Sequence, residues 1–126
     1  MNGNKAILDS NVIIDFSKGK LEINRIAENY PYFYISIISY IELLGYNFVN
    51  KKEQSLIENI LKHLPIINID LMIANVAINY RKKNKIKLPD ALIISTAKIL
   101  EADLITSNVR DFINIDTKVN IIITYN

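Results

Sequence analysis

The chain has 126 residues, 50% hydrophobic and 22% charged, and its 15 basic and 13 acidic side chains give a formal charge of +2. This length predicts a single compact domain over residues 1–126, because it leaves no room for a second hydrophobic core. The absence of cysteine and the single histidine exclude disulfide scaffolds, zinc–thiolate sites, thiol nucleophiles and imidazole clusters. Any bound metal must therefore be held by oxygen, which favours a hard cation.

The near-neutral charge argues against a strongly electrostatic nucleic-acid or membrane binder, although it is compatible with a local basic patch. The first residues, Met1 to Lys5, are polar and do not resemble a targeting signal. The longest uncharged run is shorter than the ~20 apolar residues that a membrane-spanning helix needs. We therefore expect a cytoplasmic protein.

Short apolar runs alternate with longer stretches of helical periodicity, and this alternation predicts an α/β fold with a parallel sheet. Most of the runs are apolar throughout, as in strands that helices cover on both faces. In chain order, the predicted elements are a strand at Ala6 to Leu8, helices at Asn11 to Phe16 and Leu21 to Tyr30, a strand at Tyr32 to Ile35, helices at Ser39 to Phe48 and Lys51 to Leu64, a strand at Ile66 to Ile69, helices from Asp70 to Tyr80 and Pro89 to Leu100, a strand at Leu104 to Ile105, a turn at Asn108 to Ile113 and a strand at Ile121 to Ile123.

Four residues mark the ends of these helices. Gly19 serves as a stop after the first helix, and Pro65 ends the fourth. Asp70 is a predicted N-cap, and Pro89 a predicted first helical residue, because proline loses no hydrogen bond at that position. The predicted sheet therefore has about five strands with helices on both sides.

Four acidic residues take equivalent positions in this scheme. Asp9 directly follows the first strand and Asp111 follows the fourth, whereas Glu42 and Asp90 lie near the starts of helices. In an open parallel sheet, the carboxyl ends of the strands and the following helix starts line one edge, where ligands bind. Acids that are far apart in sequence are therefore expected to meet in one pocket.

Each acid also has a local explanation, because acidic residues are common at helix starts. The local roles are a helix cap for Asp9, a capping box for Ser39 with Glu42, a favourable helix dipole for Asp90, and a cap-like pair for Asn108 with Asp111. Their joint placement favours the pocket. Several carboxylates crowded together stay ionised only if cations neutralise them, and carboxylate with water suits Mg²⁺ or Mn²⁺. Such a site can cleave phosphodiesters without a histidine or serine nucleophile.

Four ordered blocks of sequence carry a family resemblance. The blocks are Ile7 to Asn11, Ser39 to Gly45, Leu88 to Ala97 and Ala102 to Phe112. They resemble the four blocks of a PIN domain, in the compact form of VapC-type toxins. The resemblance implies a PIN-like three-layer fold and ribonuclease activity that depends on one or two Mg²⁺ or Mn²⁺ ions. It also implies a cognate antitoxin partner, as in a type II toxin–antitoxin system, and a homodimer.

The resemblance also assigns candidate site residues. Asp9, Glu42 and Asp90 match the three acids most regularly found in the family, and Asp111 matches the fourth. Ser10 and Asn11 match polar positions beside the first acid, and Ser10 or Thr106 can hold a carboxylate or a metal-bound water. Ser107 stands where arginine is frequent, and Asn108 stands where some members have aspartate. Either Asn108 or Asp111 is therefore the residue that faces the metal in the fourth block.

One dense basic run lies immediately before Asp90, and we call it the basic run: Arg81, Lys82, Lys83, Lys85 and Lys87. It predicts contact with RNA phosphates or, as the alternative, a solvated end of a helix. For Arg110 we favour a surface salt bridge over a phosphate clamp. His63 is expected to interact with a helix C-terminus, and structural or solvated roles are expected for Asp15, Asp70, Asp103 and Asp116.

Aromatic residues cluster around the second strand and third helix: Tyr30, Tyr32, Phe33, Tyr34, Tyr40, Tyr46 and Phe48. Base stacking is one interpretation of this cluster. Packing, together with a homodimer or antitoxin surface, is favoured over it.

Three other functions compete with a nuclease. A receiver domain would need paired acids at the first strand end, where Asp9 has Leu8 and Ser10 as neighbours. A haloacid-dehalogenase-type phosphatase would need an acid where Asn11 stands. The third alternative is a PIN-like module that binds RNA or protein without cleaving it, which sequence alone leaves open.

Overall fold

The computed structural model describes residues 4–20 and 28–124. Within them, five parallel strands form one sheet: β1 (Lys5–Leu8), β2 (Tyr32–Ser36), β3 (Ile66–Ile67), β4 (Asp103–Thr106) and β5 (Ile121–Ile123). The strand order is β3-β2-β1-β4-β5. The predicted α/β class and parallel sheet are confirmed.

Helices cover both faces of this sheet: α1 (Ser10–Ser17), α2 (Ile37–Leu44), α3 (Lys51–Lys62), α4 (Leu71–Lys83) and α5 (Leu88–Leu100). Alternate residues of the central strands point to opposite sides, as strand geometry requires. Ile7 and Leu104 belong to a buried cluster with residues of α4 and α5. Leu8 and Ile105 belong to a second cluster with residues of α1, α2 and α3. The fold therefore has three layers with a core on each side of the sheet.

The strand order places a topological switch at the carboxyl end of β1. From β1 the chain moves outward through β2 and β3, and then returns to pair β4 with the other side of β1. Ile7 is thus paired with Tyr34 on one side and Leu104 on the other. Ligands of open α/β sheets bind outside the strand ends at such a switch. Asp9 and Thr106 lie at this point.

Helix α2 begins and ends earlier than predicted. Its N-cap is Ser36, whose Oγ accepts a hydrogen bond from the Ile38 N–H at 3.1 Å. Gly45 ends the helix, and a Cβ added there would lie 2.9 Å from the carbonyl oxygen of Ile41. The predicted capping box of Ser39 with Glu42 is therefore wrong, because Ser39 already lies inside the helix.

Other boundary signals are mostly confirmed. Gly19 follows α1 with φ +74, a conformation that favours glycine. Asp70 caps α4 by accepting from the Ile73 N–H at 2.9 Å. The first residue of α5 is Leu88, so Pro89 lies within the first turn instead of starting the helix.

The predicted strand at Ile66 to Ile69 is too long, since β3 contains only its first two residues before the chain turns to the α4 cap. Helix α3 ends at Lys62, before the predicted Leu64. Most of the helix predicted at Leu21 to Tyr30 lies outside the described residues, and residues 28–30 do not form a helix. Among the helices in the described ranges, none is long and apolar enough to cross a membrane.

Candidate active site

Asp9 is the buried centre of the site. It follows β1 and caps α1, and its side chain is 6% exposed. Oδ1 accepts a hydrogen bond from the Ser10 N–H at 2.9 Å, and Oδ2 accepts from Thr106 Oγ1 at 2.8 Å. Thr106 is fully buried at the end of β4. Both carboxylate oxygens are therefore held in place, and the predicted cap role coexists with a position at the switch point.

Glu42 is joined to the Asp9 neighbourhood through Ser10. The Ser10 Oγ donates to Glu42 Oε1 at 3.1 Å and thereby connects the first turn of α1 to α2. Glu42 itself is exposed to solvent. The hydrogen bond directs a surface carboxylate toward the edge of the sheet where Asp9 lies.

The loop after β4 is attached to the same centre. Thr106 Oγ1, which donates to Asp9, also accepts from the Asn108 N–H at 3.0 Å. Asn108 Nδ2 then donates to Asp111 Oδ2 at 2.7 Å. Asn108 thus orients the carboxylate of Asp111, which lies in the 3₁₀ helix Val109–Asp111. Asn11 adds a further link by accepting from the Ser107 N–H at 3.3 Å.

Asp90 lies half-buried in the first turn of α5. Burial, followed by the charges of Asp111, Asp9 and Glu42, raises its pKa to about 6, although Lys87 acts in the opposite direction. The pKa of Asp9 is also raised, first by burial and then by Glu42 and Asp111, against the lowering hydrogen bonds from Thr106 and Ser10. The four acids therefore repel one another across one shared neighbourhood.

This donor set suits a hard divalent cation, since it offers carboxylate, hydroxyl and amide oxygen and no sulfur. Within residues 4–20 and 28–124, however, no group of three or more Asp, Glu or His side chains is already placed to hold a metal ion. Mg²⁺ commonly binds through one or two carboxylates and keeps several waters. The residues fit a partly hydrated divalent cation, because its positive charge would reduce the mutual repulsion of the four carboxylates.

Other predicted residues lie away from these contacts. Arg110 is exposed and makes no ion pair with any described carboxylate, so the expected salt bridge is wrong. His63 caps α3 with Nδ1 2.9 Å from the Asn59 carbonyl oxygen, as expected. Asp103 is buried, accepting from Tyr30 Oη at 2.6 Å and Asn120 Nδ2 at 3.2 Å.

Asp116 has a structural role as well. It accepts from Tyr80 Oη at 2.7 Å and from the Lys118 N–H at 2.9 Å, and it pairs with Lys98 at 3.4 Å. Asp15 lies half-buried in α1. Neither residue is among the acids whose charges chiefly raise the pKa of Asp9 or Asp90.

Most of the aromatic cluster packs against the core. Tyr30 contacts Phe33 edge-to-face with ring centroids 6.1 Å apart, and Tyr46 contacts Phe48 in the same way at 4.8 Å. Phe33 and Phe48 pack against the cluster shared by α1, α2 and α3. Only part of the aromatic set is available to a partner, chiefly Tyr32 and Tyr46, which are 56% and 52% exposed.

The sequence did not identify Ser36 as a helix cap, and it assigned that role wrongly to Ser39. Ser36 follows an apolar strand and precedes two isoleucines, which is an N-cap signal that could have identified it. Ser39 is fully buried, and its Oγ is the one buried side-chain polar atom in the described ranges without a hydrogen-bond partner. It lies one helical turn before Glu42, and nothing in the sequence reveals its burial.

Comparisons with known proteins identify similar sequences and folds. The family model for the PIN domain matches residues 6–118. A toxin–antitoxin complex from Klebsiella pneumoniae contains a chain that is 33% identical, with TM-score 0.77 over 96% of this chain and 98% of that chain. DNA-bound VapBC from Salmonella typhimurium has 23% identity and TM-score 0.77, with 94% of this chain and 96% of that chain covered.

VapBC-1 from nontypeable Haemophilus influenzae has 23% identity and TM-score 0.74, over 94% of this chain and 97% of that chain. No curated protein is similar enough to count as a match. The two likenesses at 23% identity show a shared fold. Because the family model covers most of the sequence and the Klebsiella chain is 33% identical over nearly its full length, the chain belongs to the PIN domain family.

Proposed function

We propose that this protein is a divalent-metal-dependent endoribonuclease that acts as the toxin of a toxin–antitoxin pair. The observation that carries the proposal is the hydrogen-bonded chain that joins Asp9 through Thr106 and Asn108 to Asp111 at the switch point of a parallel sheet. The charges of Asp111, Asp9 and Glu42 also raise the pKa of Asp90, after burial. Carboxyl groups with raised pKa values in such a position are typical of functional sites. Their repulsion is unfavourable for folding, and a bound cation would offset it.

Asp9, Glu42, Asp90 and Asp111 would hold one or two Mg²⁺ or Mn²⁺ ions, directly or through water. When bound, such ions provide an activated water and stabilise the leaving oxygen of a phosphodiester. The chain contributes orientation: Thr106 and the Ser10 N–H fix both oxygens of Asp9. Asn108 fixes the carboxylate of Asp111 in the same way. RNA as the substrate would place the reaction in the cytoplasm.

The toxin role is supported by the relative from Klebsiella pneumoniae, whose structure is described as a toxin–antitoxin complex. We extend this partner to the present chain and expect a cognate antitoxin. We also expect a homodimer. Exposed apolar side chains near α2, including Ile41, Leu44 and Tyr46, offer surface for such contacts. Light scattering on the purified protein measures the oligomeric state, and a monomer at micromolar concentration would contradict the dimer.

A second candidate is a catalytically silent PIN-like module that binds RNA or protein. One observation favours it: in the described ranges, three acids do not already converge on a metal position. The same acids nevertheless act on one another electrostatically. We therefore place the nuclease first.

Incubation of the purified protein with cellular RNA and Mn²⁺ separates the two candidates. The nuclease predicts cleavage that EDTA abolishes and that Asp9→Asn removes, with the variant still folded by circular dichroism. Equal cleavage by Asp9→Asn would reject the proposed site. Binding of RNA without any cleavage would support the silent module.

A further inference from the structure

The connection between α4 and α5 divides the basic run into two parts. Arg81, Lys82 and Lys83 occupy the last turn of α4, where cations favour the helix dipole. Lys85 and Lys87 lie outside both helices, in the segment that leads directly into α5. The first group has a sufficient local explanation in its helix end. The second group does not.

The connection is attached to the rest of the fold at two residues, Asn84 and Ile86. Asn84 is extended at φ −142 and ψ 155, and its side chain caps α4 by donating from Nδ2 to the Tyr80 carbonyl at 3.0 Å. Lys87 is also extended, at φ −67 and ψ 148. Between the two lysines, Ile86 is only 8% exposed and belongs to the core cluster of α4 and α5.

The two lysines flank a buried residue of the connection. Exposure alternates along the segment, since Lys85 and Lys87 are exposed and Ile86 between them is buried. Both lysine side chains therefore project into solvent on either side of a fixed residue. Their Cα atoms are at most about 7 Å apart, because two residues of chain span no more than that. Two lysine side chains this close together on the surface can each contact a phosphate of the same strand.

The pair is also adjacent to the acid site. Lys87 is the residue before the first turn of α5, the turn that contains Asp90. The positive charge of Lys87 is close enough to lower the pKa of Asp90, against the surrounding acids, which raise it. A phosphate bound at Lys87 would therefore lie next to the carboxylates, and one bound at Lys85 would lie a step farther along the strand.

We infer that Lys85 and Lys87, anchored by the buried Ile86, form a clamp for two consecutive phosphates of single-stranded RNA at the α5 side of the acid site. The inference rests on the proposed ribonuclease function and deepens it. Under this arrangement Arg81, Lys82 and Lys83 are helix-end charges that contribute little to strand binding. The clamp is a positioning element that contacts phosphates and carries no sequence information.

Binding is best measured with the Asp9→Asn protein and a fluorescent single-stranded RNA at several salt concentrations. Each phosphate contact contributes a slope of about −0.7 to the dependence of log K on log salt for single strands. Replacing both clamp residues, Lys85→Met with Lys87→Met, should make the slope shallower by about 1.4 and weaken binding on the order of tenfold at low salt. The exposed pair Lys51→Met with Lys52→Met is the control for net charge, and it should leave the slope unchanged.

An unchanged slope in the clamp variant would overturn the inference, as would an equal loss in the Lys82→Met with Lys83→Met variant. Cleavage of RNA by the otherwise unaltered protein is measured in parallel. If that protein cleaves and the clamp variant keeps its slope, the clamp alone is wrong. If the protein neither binds nor cleaves RNA, the proposed function fails together with the clamp.

Discussion

Thr106 donates a hydrogen bond to Asp9 at 2.8 Å although the two residues are 97 positions apart in the sequence. The same hydroxyl accepts from the backbone of Asn108, which in turn orients Asp111. One buried side chain therefore connects the acid after β1 to the acid after β4. The relationship explains how acids that follow separate strands keep a defined relative position.

Replacing Thr106 by valine should slow RNA cleavage about 10- to 100-fold, which is the usual effect of removing a residue that orients a metal-binding side chain. Asp9 Oδ2 loses its donor, so the pKa of Asp9 rises further, and the Asn108 N–H loses its acceptor. The unsatisfied groups should also lower the free energy of unfolding by about 1–3 kcal/mol. Thr106→Ser keeps the hydroxyl and should retain most of the rate. Equal rates for Thr106→Val and the unaltered protein would refute this role.

The pH dependence of the free energy of unfolding should reflect the protonation of Asp90. Its folded-state pKa of about 6 lies above the usual 3.8, so the folded protein binds a proton more tightly than the unfolded chain. Without metal, stability should therefore fall as the pH rises from about 4 to about 6 and stay reduced above that. The raised pKa of Asp9 acts in the same direction.

The Asp90→Asn variant removes this penalty. At pH 7 without metal it should be more stable by about 1 kcal/mol, once solvent screening of the half-exposed carboxylate is allowed for. Added Mn²⁺ should stabilise the unaltered protein more than the variant. Urea denaturation at pH 5 and pH 7 checks both effects. An identical pH dependence in the two proteins would show that the Asp90 carboxyl group is not perturbed.

The Tyr80–Asp116 hydrogen bond should stabilise the segment that leads to β5. Although burial acts to raise it, hydrogen bonds from Tyr80 and the Lys118 N–H and the pairing with Lys98 hold the pKa of Asp116 below its usual value. Tyr80→Phe should lower the free energy of unfolding at pH 7 by about 1 kcal/mol.

The effect of Tyr80→Phe has a pH signature. A depressed carboxyl pKa contributes stability that is present above the unfolded pKa and is lost as the pH falls through the folded pKa. The difference between Tyr80→Phe and the unaltered protein should therefore shrink in acid. Urea denaturation across this range measures it, with Tyr32→Phe as the matched control, because Tyr32 is 56% exposed. An equal loss of stability in Tyr32→Phe would show that the hydrogen bond to Asp116 is not the cause.

Glu101 ends α5 in the left-handed conformation at φ 55, where a side chain is unfavourable. Glycine has no such penalty at this position. Glu101→Gly should therefore raise the free energy of unfolding by about 0.5–1 kcal/mol and leave RNA cleavage unchanged. Glu101→Gln removes the charge but keeps the conformation, so it should give no gain. A gain of the same size in Glu101→Gln would assign the effect to charge.

The sheet was predictable because its strands are apolar runs separated by helical stretches. The same logic placed Asp9 after β1 and Asp111 after β4, since both follow a recognisable strand. Helix α2 was less predictable: the sequence predicts a strand that ends at Ile35 and a helix that begins at Ser39, whereas the side chain of Ser36 caps the helix. Both Ser36 and Ser39 precede apolar helical residues, and the position directly after the strand is the signal that favours Ser36 as the cap.

The sequence alone does not predict which side chains form hydrogen bonds with one another in the site. The short spacing of Asn108 and Asp111 predicts a cap-like pair, but Thr106 and Asp9 have no such pattern. Their contact arises from the parallel pairing of β1 with β4, which brings Leu8 opposite Ile105. The division of the basic run was also not predicted, because it follows from the end of α4 at Lys83 and from the burial of Ile86 between the remaining two lysines.

The most direct measurement is the rate of RNA cleavage in saturating Mn²⁺ by the four single variants Asp9→Asn, Glu42→Gln, Asp90→Asn and Asp111→Asn, beside Asp15→Asn as a control. Each variant keeps the shape of its side chain and removes one negative charge from the acid site. A metal-dependent nuclease predicts losses on the order of a hundredfold or more for Asp9→Asn and Asp90→Asn, and clear losses for Glu42→Gln and Asp111→Asn. The control should retain the full rate. Full cleavage by Asp9→Asn and Asp90→Asn would contradict the account.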